Sequence, residues 1–497
     1  MRRAVTAAVL AVLTAATAGC FAEPAPTGAG PERRLRVGLA FVPRGQMSPY
    51  TDDAGLIMQL GASETLVNVD RAGTPTPALA ESWSTVDPST VRLRMRSGVT
   101  FHDGTRLTAA VAADALSRAA AAKPVPRALA TVQLTSTVVD TMTLELHTAK
   151  PDPILLLRLG APQLAILAPR AYAGNPAIPD PAGAGTGPYR LVSVQGTSAA
   201  TLDRFDAYWG GRPGLAGIDV RFLPDGAARA GALRAGAVDV AIVLPVGQVA
   251  NLGGGRLLEI PLPRTVGLYL VGTAGRPFAE PAVRAVARAA VDPAAIAGSV
   301  YEGHADAGTG LFGPASPWAT GHSAAAGRAA PAAAPPGTRI TLATYPERPE
   351  LPEVASAVAA ALTARGFAVT TVVREYPLLE PDLLAGRFDA VLLSRSYLLD
   401  AGDPIGFFRT DFGCAGSYNL ARFCDPGFDA RVAAAAGRTE PAARHASALA
   451  LEADLLDRAV IVPIVHERAR VGCVPGVTGL ATDPYERTLV TARTALR

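Results

Sequence analysis

This chain has few cysteines and lysines, almost no excess of charge, and no long apolar run after its first twenty residues. The 46 Lys+Arg residues nearly balance the 43 Asp+Glu residues, and the basic residues form no cluster of the kind that follows nucleic-acid phosphates. Nucleic acid is therefore not an expected partner. Because a membrane-spanning helix needs roughly 18 or more apolar residues, we expect everything after residue 20 to be soluble. Only Lys123 and Lys150 are lysines, so nearly all positive charge is arginine.

The chain is long and apolar enough to build a large folded body. It has 497 residues, of which 49% are hydrophobic and 18% charged. A peptide hormone, a single small module and a disordered protein are thereby excluded. We expect several sub-domains.

The first twenty residues have the order of an export signal. Arg2 and Arg3 precede an uncharged apolar stretch, residues 4–19, which ends in small residues before Cys20. The segment resembles a bacterial lipoprotein signal, with residues 1–19 as the signal peptide, Cys20 as the lipidated residue and residues 20–34 as a flexible tether. A secreted protein without a lipid is the alternative. In either case the protein is expected to work outside the cytoplasm, and the lipid would attach it to the cell membrane.

The other cysteines are interpreted in that oxidising setting. Cys414 and Cys424 lie ten residues apart and enclose a polar segment that contains glycine. We predict a disulfide between them, which would stabilise the protein by about 3 kcal/mol through closure of the loop. Cys473 is left over and is predicted to be a buried free thiol.

Motifs for catalysis or metal binding are lacking. No G-x-S-x-G sequence occurs, and no histidine stands at a ligand spacing such as H-x-x-x-H. One G-x-G-x-x-G is present, from Gly308 to Gly313, but no apolar strand precedes it and prolines rather than a helix follow it. We interpret it as a loop, and we predict no enzyme activity, no cofactor and no metal site.

Patterns of strands and helices alternate along the chain, which indicates an α/β protein. The predicted strands and helices are 35–41 (strand), 55–67 (helix), 90–95 (strand), 108–121 (helix), 141–146 (strand), 339–344 (strand), 352–365 (helix) and 368–373 (strand). The last three form a βαβ-like unit, and the Ala-, Gly- and Pro-rich residues 314–336 before it are expected to form a surface connection.

Four sequence blocks resemble one family, the extracytoplasmic solute-binding proteins of the peptide-transporter type, family 5. The resemblance covers about residues 35–490. Its blocks are T-P-A-L-A-E-S-W at 76–83 with G-V-T-F-H-D-G at 98–104; G-T-G-P-Y at 185–189 with Y-W-G-G at 208–211 and L-R-A-G-A-V-D at 233–239; V-R-A-V at 283–286 with A-V-D at 290–292; and Asp403-Pro404 with Asn419 and Phe428-Asp429.

The resemblance implies an α/β fold with two lobes, of the large type with three sub-domains, and a ligand cleft between the lobes. We expect residues 35–70, 185–268 and 470–497 to form lobe I, residues 71–184 an additional sub-domain of lobe I, and residues 269–469 lobe II.

Two local matches are similar to the dipeptide-binding branch of the family. Residues 397–408 resemble a segment whose first aspartate binds the α-ammonium of a peptide, which implies this role for Asp400. Glu347-Arg348-Pro349 resembles a turn whose arginine binds the C-terminal carboxylate, which implies that role for Arg348. Tyr397 is expected either beside the ligand's first side chain or in the core.

We therefore expect a monomeric, lipid-anchored binding protein that captures short peptides and delivers them to the permease of an ABC importer. A nickel or metallophore ligand within the same family, and a ligand sensor that no longer serves transport, are the alternatives. A secreted hydrolase is a third hypothesis, which turnover of a peptide or ester substrate would support.

Overall fold

The structure is a computed structural model that describes residues 33–322, 331–398 and 401–497. The predicted signal peptide, Cys20, most of the tether and Asp400 lie outside these ranges. The described residues form the mixed α/β fold that the sequence indicates.

Strands and helices alternate throughout. The strands are β1 (Arg34–Leu39), β2 (Val67–Val69), β3 (Pro75–Pro77), β4 (Ala80–Asp87), β5 (Thr90–Met95), β6 (Leu134–Val138), β7 (Thr143–Thr148), β8 (Tyr189–Gln195), β9 (Ala199–Arg204), β10 (Gly217–Phe222), β11 (Val240–Ala241), β12 (Arg256–Leu270), β13 (Ala305–Ala307), β14 (Arg339–Thr344), β15 (Ala368–Val373), β16 (Ala390–Ser396), β17 (Ile461–Cys473), β18 (Val477–Thr478) and β19 (Ala495–Leu496). The α-helices are α1 (Ala54–Gln59), α2 (Ala109–Ala121), α3 (Leu155–Arg158), α4 (Gly226–Arg234), α5 (Val246–Val249), α6 (Pro281–Ala290), α7 (Pro293–Ser299), α8 (Leu351–Thr363), α9 (Tyr376–Leu384), α10 (Pro404–Phe412), α11 (Pro426–Ala436) and α12 (Pro441–Asp457).

Two long antiparallel strands, β12 and β17, connect the two halves of the molecule. One end of β12 pairs with β16, and the far end of β17 pairs with β11, which lies beside β1. The pairing of β12 with β17 loses its register between Pro261 and Thr265. Proline cannot donate a ladder hydrogen bond, so this interruption is a natural place for the ribbon to bend.

Apolar residues form three large cores around this ribbon. The first includes Leu35–Ala62 and Tyr189–Ile260 together with residues after Val471. The second runs from Leu66 to Ala184 and lies against the four-stranded sheet β4-β5-β7-β6. The third takes most of its members from Val266–Val465. The boundaries predicted from the sequence stay predictions.

Residues of the second sequence block converge on one partly buried carboxylate, Glu64. It accepts hydrogen bonds from the hydroxyls of Thr186 and Tyr208, both at 2.8 Å, and from Nε1 of Trp209 at 2.9 Å. The first block contacts the second through His102, whose Nε2 is 2.9 Å from the carbonyl oxygen of Gly187. These conspicuous motif residues therefore serve the packing of the fold.

One predicted helix is wrong in its extent. The helix expected over residues 55–67 ends at Gln59, and Val67 already belongs to β2. Gly61 takes a positive φ of 67°, and its backbone oxygen lies where a side chain on Gly187 would have to fit. The chain must leave the helix there so that the G-T-G-P-Y segment can pack closely against it.

The disulfide and the free thiol are both present in the structure. Cys414 and Cys424 are joined by a bond of 2.08 Å, and Cys473 is buried and free. Within the described ranges no helix combines the length and apolar character that crossing a bilayer requires.

Candidate functional site

A cavity of about 980 Å³ lies between the second and third cores. One wall comes from residues 127–133 and 148–158, around the end of β7 and α3. The other comes from residues of α9, α10 and the loop that the disulfide closes, together with Arg444 of α12. Its size is at the upper end of the range typical of pockets for small ligands.

Arg158 holds the first wall together. Its Nε donates to Asp152 at 2.6 Å, and its Nη1 donates to the carbonyl of Ala128 at 2.9 Å. Both side chains of the ion pair are nearly buried, at 11% and 10% exposure. This pair ties residues 127–133 to residues 148–158, and Pro151 and Pro153 stiffen the backbone between them.

On the second wall, a buried ion pair fixes the start of α10. Asp403 accepts from Nη2 of Arg444 at 2.7 Å and from Nε at 3.2 Å. The remaining Nη1 of Arg444 donates to three carbonyls at the end of α11. Because each charge has a partner, the pair can remain buried, and α10 presents a fixed face to the cavity.

That face carries Ile405, Gly406, Arg409 and Thr410, which recur at helical spacing and line the cavity. Arg409 is exposed.

A second polar group stands beside this face. Arg395 forms a bidentate pair with Asp411 at 2.6 and 2.9 Å and stacks over the ring of Tyr418 at 4.2 Å. Tyr376 donates to Glu380 at 2.8 Å and also contacts the hydroxyl of Tyr418. Burial raises the pKa of both tyrosines, so they remain neutral donors at physiological pH.

Arg348, the predicted carboxylate-binding residue, contacts a carboxylate of the protein itself. Its Nη1 donates to Glu467 at 3.1 Å, and Arg264 approaches the same carboxylate at 3.9 Å. Ser394 also donates to Glu467. Arg348 does not line the cavity described above, and 28% of its side chain is exposed. Its role toward a ligand stays a prediction of the resemblance.

The electrostatics of this cluster favour the ionised pair. Burial opposes a charge on Glu467, but Arg348 and Arg264 hold the pKa of its carboxyl below the ordinary value. Burial likewise opposes the charge on Arg348, and the carboxylate of Glu467 nevertheless raises the pKa of the guanidinium. Burial and the neighbouring Arg348 lower the pKa of Arg264, which is the less well compensated cation.

Tyr397 lies in the third core. Its side chain is 1% exposed, its ring packs edge-on against Phe312, and its hydroxyl is 3.0 Å from that of Ser316. The structure thus matches the second of the two placements expected for it, and a contact with ligand would require Tyr397 to become exposed.

Asp400, the predicted ammonium-binding residue, lies outside the described residues. Its sequence neighbours Leu398 and Ala401 both line the cavity. Its role stays a prediction.

The G-x-G-x-x-G loop binds a carboxylate of the protein. Glu452, on α12, accepts hydrogen bonds from the backbone N–H groups of Leu311 and Phe312. A side chain on Gly310 would collide with that carboxylate, and one on Gly313 would collide with the ring of His466. The glycines therefore permit close packing, and the loop's donors are already used. Burial raises the pKa of Glu452 to about 7.

No set of three or more histidine, cysteine, aspartate and glutamate side chains is placed to hold a metal ion anywhere in the described ranges.

Sequence reasoning missed Lys150 and Arg409, which line the cavity on opposite walls. The available signals were the scarcity of lysine and the position of Arg409 directly after residues 397–408, the segment that resembles the dipeptide-binding branch.

Comparison with known proteins gives a consistent result. The model of the bacterial extracellular solute-binding proteins, family 5, matches residues 74–419. The chain is 27% identical over 318 residues to the probable ABC transporter periplasmic-binding protein SapA of Escherichia coli K12, covering 61% of this chain and 58% of that protein. It is also 27% identical over 320 residues to the glutathione-binding protein GsiB of Escherichia coli O1:K1, covering 62% and 60%.

The matched segment thus spans less than two thirds of these relatives. Among solved structures, a nickel ABC transporter protein from Bacillus halodurans superposes with a TM-score of 0.79 at 22% identity, covering 94% of this chain and 100% of that one. It shares the two-lobe fold. With the family model matching residues 74–419, the chain belongs to the bacterial extracellular solute-binding proteins, family 5.

Proposed function

We propose that this protein is the extracytoplasmic solute-binding component of an ABC importer, and that it binds short peptides in the cavity between its lobes. The observation that carries the proposal is the cavity of about 980 Å³ between two separate apolar cores, in a molecule whose halves are joined by the β12–β17 ribbon. The ribbon links the third core to the first, so a bend in it would move one wall of the cavity and close the cavity around a solute by hinge motion.

The cavity suits a ligand that carries charges of both signs. Its walls present exposed Lys150 and Arg409 as cations and Glu380 as a carboxylate. A peptide has an ammonium and a carboxylate at its ends, and its main chain offers further donors and acceptors. Peptide side chains of different size can be accommodated together with water, because a protein that binds the ends and main chain of a peptide does not contact its side chains specifically. GsiB, named for binding the tripeptide glutathione, shows that the family includes peptide binders.

The resemblance implies a ligand-binding role for Asp400 and for Arg348, and each role requires a particular arrangement of charges. Asp400, which in sequence lies between the cavity-lining residues Leu398 and Ala401, would bind the peptide ammonium. Arg348 already pairs with Glu467, so it would bind the terminal carboxylate of a peptide only if that carboxylate bound alongside Glu467 or displaced it. Burying an uncompensated charge costs several kcal/mol, so closure must bring each ligand charge to a partner.

The closed form would be the one that the membrane permease recognises, and no bond of the ligand is broken. Lipidation at Cys20 would keep the monomeric protein at the outer face of the cell membrane, on the tether of residues 20–34. A nickel or metallophore ligand is the second candidate, because the fold resembles that of the nickel transporter protein from Bacillus halodurans. The described residues offer no cluster for a bare metal, which favours an organic complex. A sensor without a transport role would share the same binding properties.

Thermal unfolding of the mature chain, from residue 21 onward, tests the proposal. Di-, tri- and pentapeptide mixtures and a nickel–histidine complex are added separately. A ligand at about a thousandfold excess over its dissociation constant stabilises by about 4 kcal/mol, which gives a clear upward shift of the unfolding temperature. A shift with peptides supports peptide binding. A shift with the nickel complex alone overturns it in favour of the second candidate. Loss of import in cells that lack the gene separates transport from sensing.

A further inference from the structure

Most of the cations around the cavity already have a carboxylate of the protein as partner. Arg158 pairs with Asp152 at 2.6 Å, and Arg444 pairs with Asp403 at 2.7 Å. Arg395 pairs with Asp411, whose side chain is fully buried. These guanidiniums are therefore positioned and neutralised before any ligand arrives.

The pair formed by Arg127 is of a different kind. Arg127 contacts Asp52 at 2.9 Å, with side-chain exposures of 67% and 81%. An ion pair that is so exposed to water contributes little to stability, and Arg127 can readily exchange Asp52 for another partner.

Lys150 and Arg409 differ from all of these. Both are exposed, both line the cavity, and neither side chain forms a hydrogen bond or ion pair with any part of the chain that the structure describes. Three of the described carboxylates line the cavity, and two of them, Asp152 and Asp403, are already paired. The third, Glu380, is in no ion pair with the described residues and accepts a hydrogen bond from the hydroxyl of Tyr376. Among the described residues, two cations without an ion-pair partner thus share the cavity with one such carboxylate.

The two cations stand on opposite walls that are held rigidly. Lys150 lies between β7 and Pro151, next to the Arg158–Asp152 pair. Arg409 lies on α10, whose start is fixed by the Asp403–Arg444 pair. Closure of the lobes would bring like charges toward each other, which is unfavourable unless a negative group lies between them.

An acidic side chain of a bound peptide supplies a negative group that can lie between the two cations. We propose that the cavity selects short peptides that carry an acidic side chain, and that Lys150 and Arg409 bind its carboxylate from opposite walls. This inference rests on the proposed function, because it specifies the class of peptide.

Isothermal titration of the mature chain tests it with two matched series, Ala-Glu, Ala-Ala and Ala-Lys, and Ala-Glu-Ala, Ala-Ala-Ala and Ala-Lys-Ala. The acidic peptide of at least one series should bind about tenfold more tightly than its neutral counterpart, and higher salt should reduce the difference. The variants Arg409→Gln and Lys150→Met should each remove most of that preference, so that the acidic and the neutral peptide bind the variant with dissociation constants within about twofold of each other.

The chain supplies matched controls. Lys123, the only other lysine, and the exposed Arg339 lie outside the cavity, so Lys123→Met and Arg339→Gln should keep the preference. The charge reversal Arg409→Glu should shift the preference from the acidic peptide toward Ala-Lys. A merely structural role of Arg409 would not produce that exchange.

The outcomes are distinct. Equal binding of acidic and neutral peptides by the wild type, or an equal loss of both in the variants, overturns the acidic preference and leaves peptide binding intact. If no peptide binds, the proposed function and this inference are both overturned.

Discussion

Two groups of cationic side chains in this protein differ in their ion-pair partners. At the ribbon between the lobes, Arg348 and Arg264 surround Glu467, whose side chain is 7% exposed. At the cavity, neither the Arg409 nor the Lys150 side chain is in an ion pair with a carboxylate of the described chain. The chemistry of the side chains is similar, but the first group has its counter-ion built in and the second does not.

The difference indicates which charges serve the fold and which are available to a ligand. Removing one partner of a buried ion pair destabilises the protein, because the remaining charge is then buried without compensation. Removing an exposed cation that has no partner leaves no group unsatisfied. Stability and ligand affinity should therefore respond to different residues, and the predictions below test that separation.

The largest effect is expected at Glu467. Glu467→Gln leaves Arg348 and Arg264 without their carboxylate, and we expect the free energy of unfolding to fall by about 3 to 4 kcal/mol in urea denaturation. The control is Glu353→Gln, an exposed carboxylate of α8 with no ion pair to the described residues. Equal stability of the two variants would show that the Glu467 cluster is not a structural ion pair.

The next effect is a dependence on pH at Glu452. Because burial raises the pKa of this carboxyl from 4.5 to about 7, the native chain retains a proton that the unfolded chain has released. Its contribution to stability is thus full below about pH 4.5 and is lost as the pH rises through about 7.

Between about pH 4.5 and 7, the free energy of unfolding of the wild type should fall by about 2 to 3 kcal/mol relative to that of the Glu452→Gln variant. Burial lowers the pKa of His466 to about 4, so this histidine has the opposite effect, destabilising the protein as the pH falls from 6.5 toward 4. The measurement is therefore the difference between wild type and variant by urea unfolding at several pH values. A difference that does not change with pH would contradict the buried, protonated state of Glu452.

The smallest effect on stability is expected at the cavity. Arg409→Gln and Lys150→Met should each change the free energy of unfolding by no more than about 0.5 kcal/mol, since both side chains are exposed and neither has a partner in the described chain. If these variants lose as much free energy of unfolding as Glu467→Gln, the proposed difference between the Glu467 cluster and the cavity cations is wrong.

Much of the fold could be predicted from local pattern. Alternation of apolar residues placed β14 and β15 at their observed bounds, and Thr108 caps α2 through the backbone N–H of Val111. The extent of α1 could not be predicted, because the chain ends that helix to accommodate glycines more than 120 residues away, at Gly185 and Gly187.

The site was predicted less completely. The resemblance singled out Arg348, but sequence cannot show that Glu467, 119 residues later, lies within 3.1 Å of it. Nor could the sequence show that Lys150 and Arg409 lie on opposite walls of one cavity, since nothing local distinguishes an exposed cation that faces a cavity from one that faces bulk water.

The most direct test of the contrast compares Arg348→Gln with Arg409→Gln by isothermal titration, using whichever acidic peptide binds the wild type. If charges with built-in partners serve the fold, Arg409→Gln weakens binding about tenfold, whereas the folded fraction of Arg348→Gln binds the peptide within about twofold of the wild type. If instead Arg348→Gln weakens binding about tenfold and Arg409→Gln does not, the account is contradicted. That result would mean that Arg348 leaves Glu467 to bind the carboxylate of the ligand.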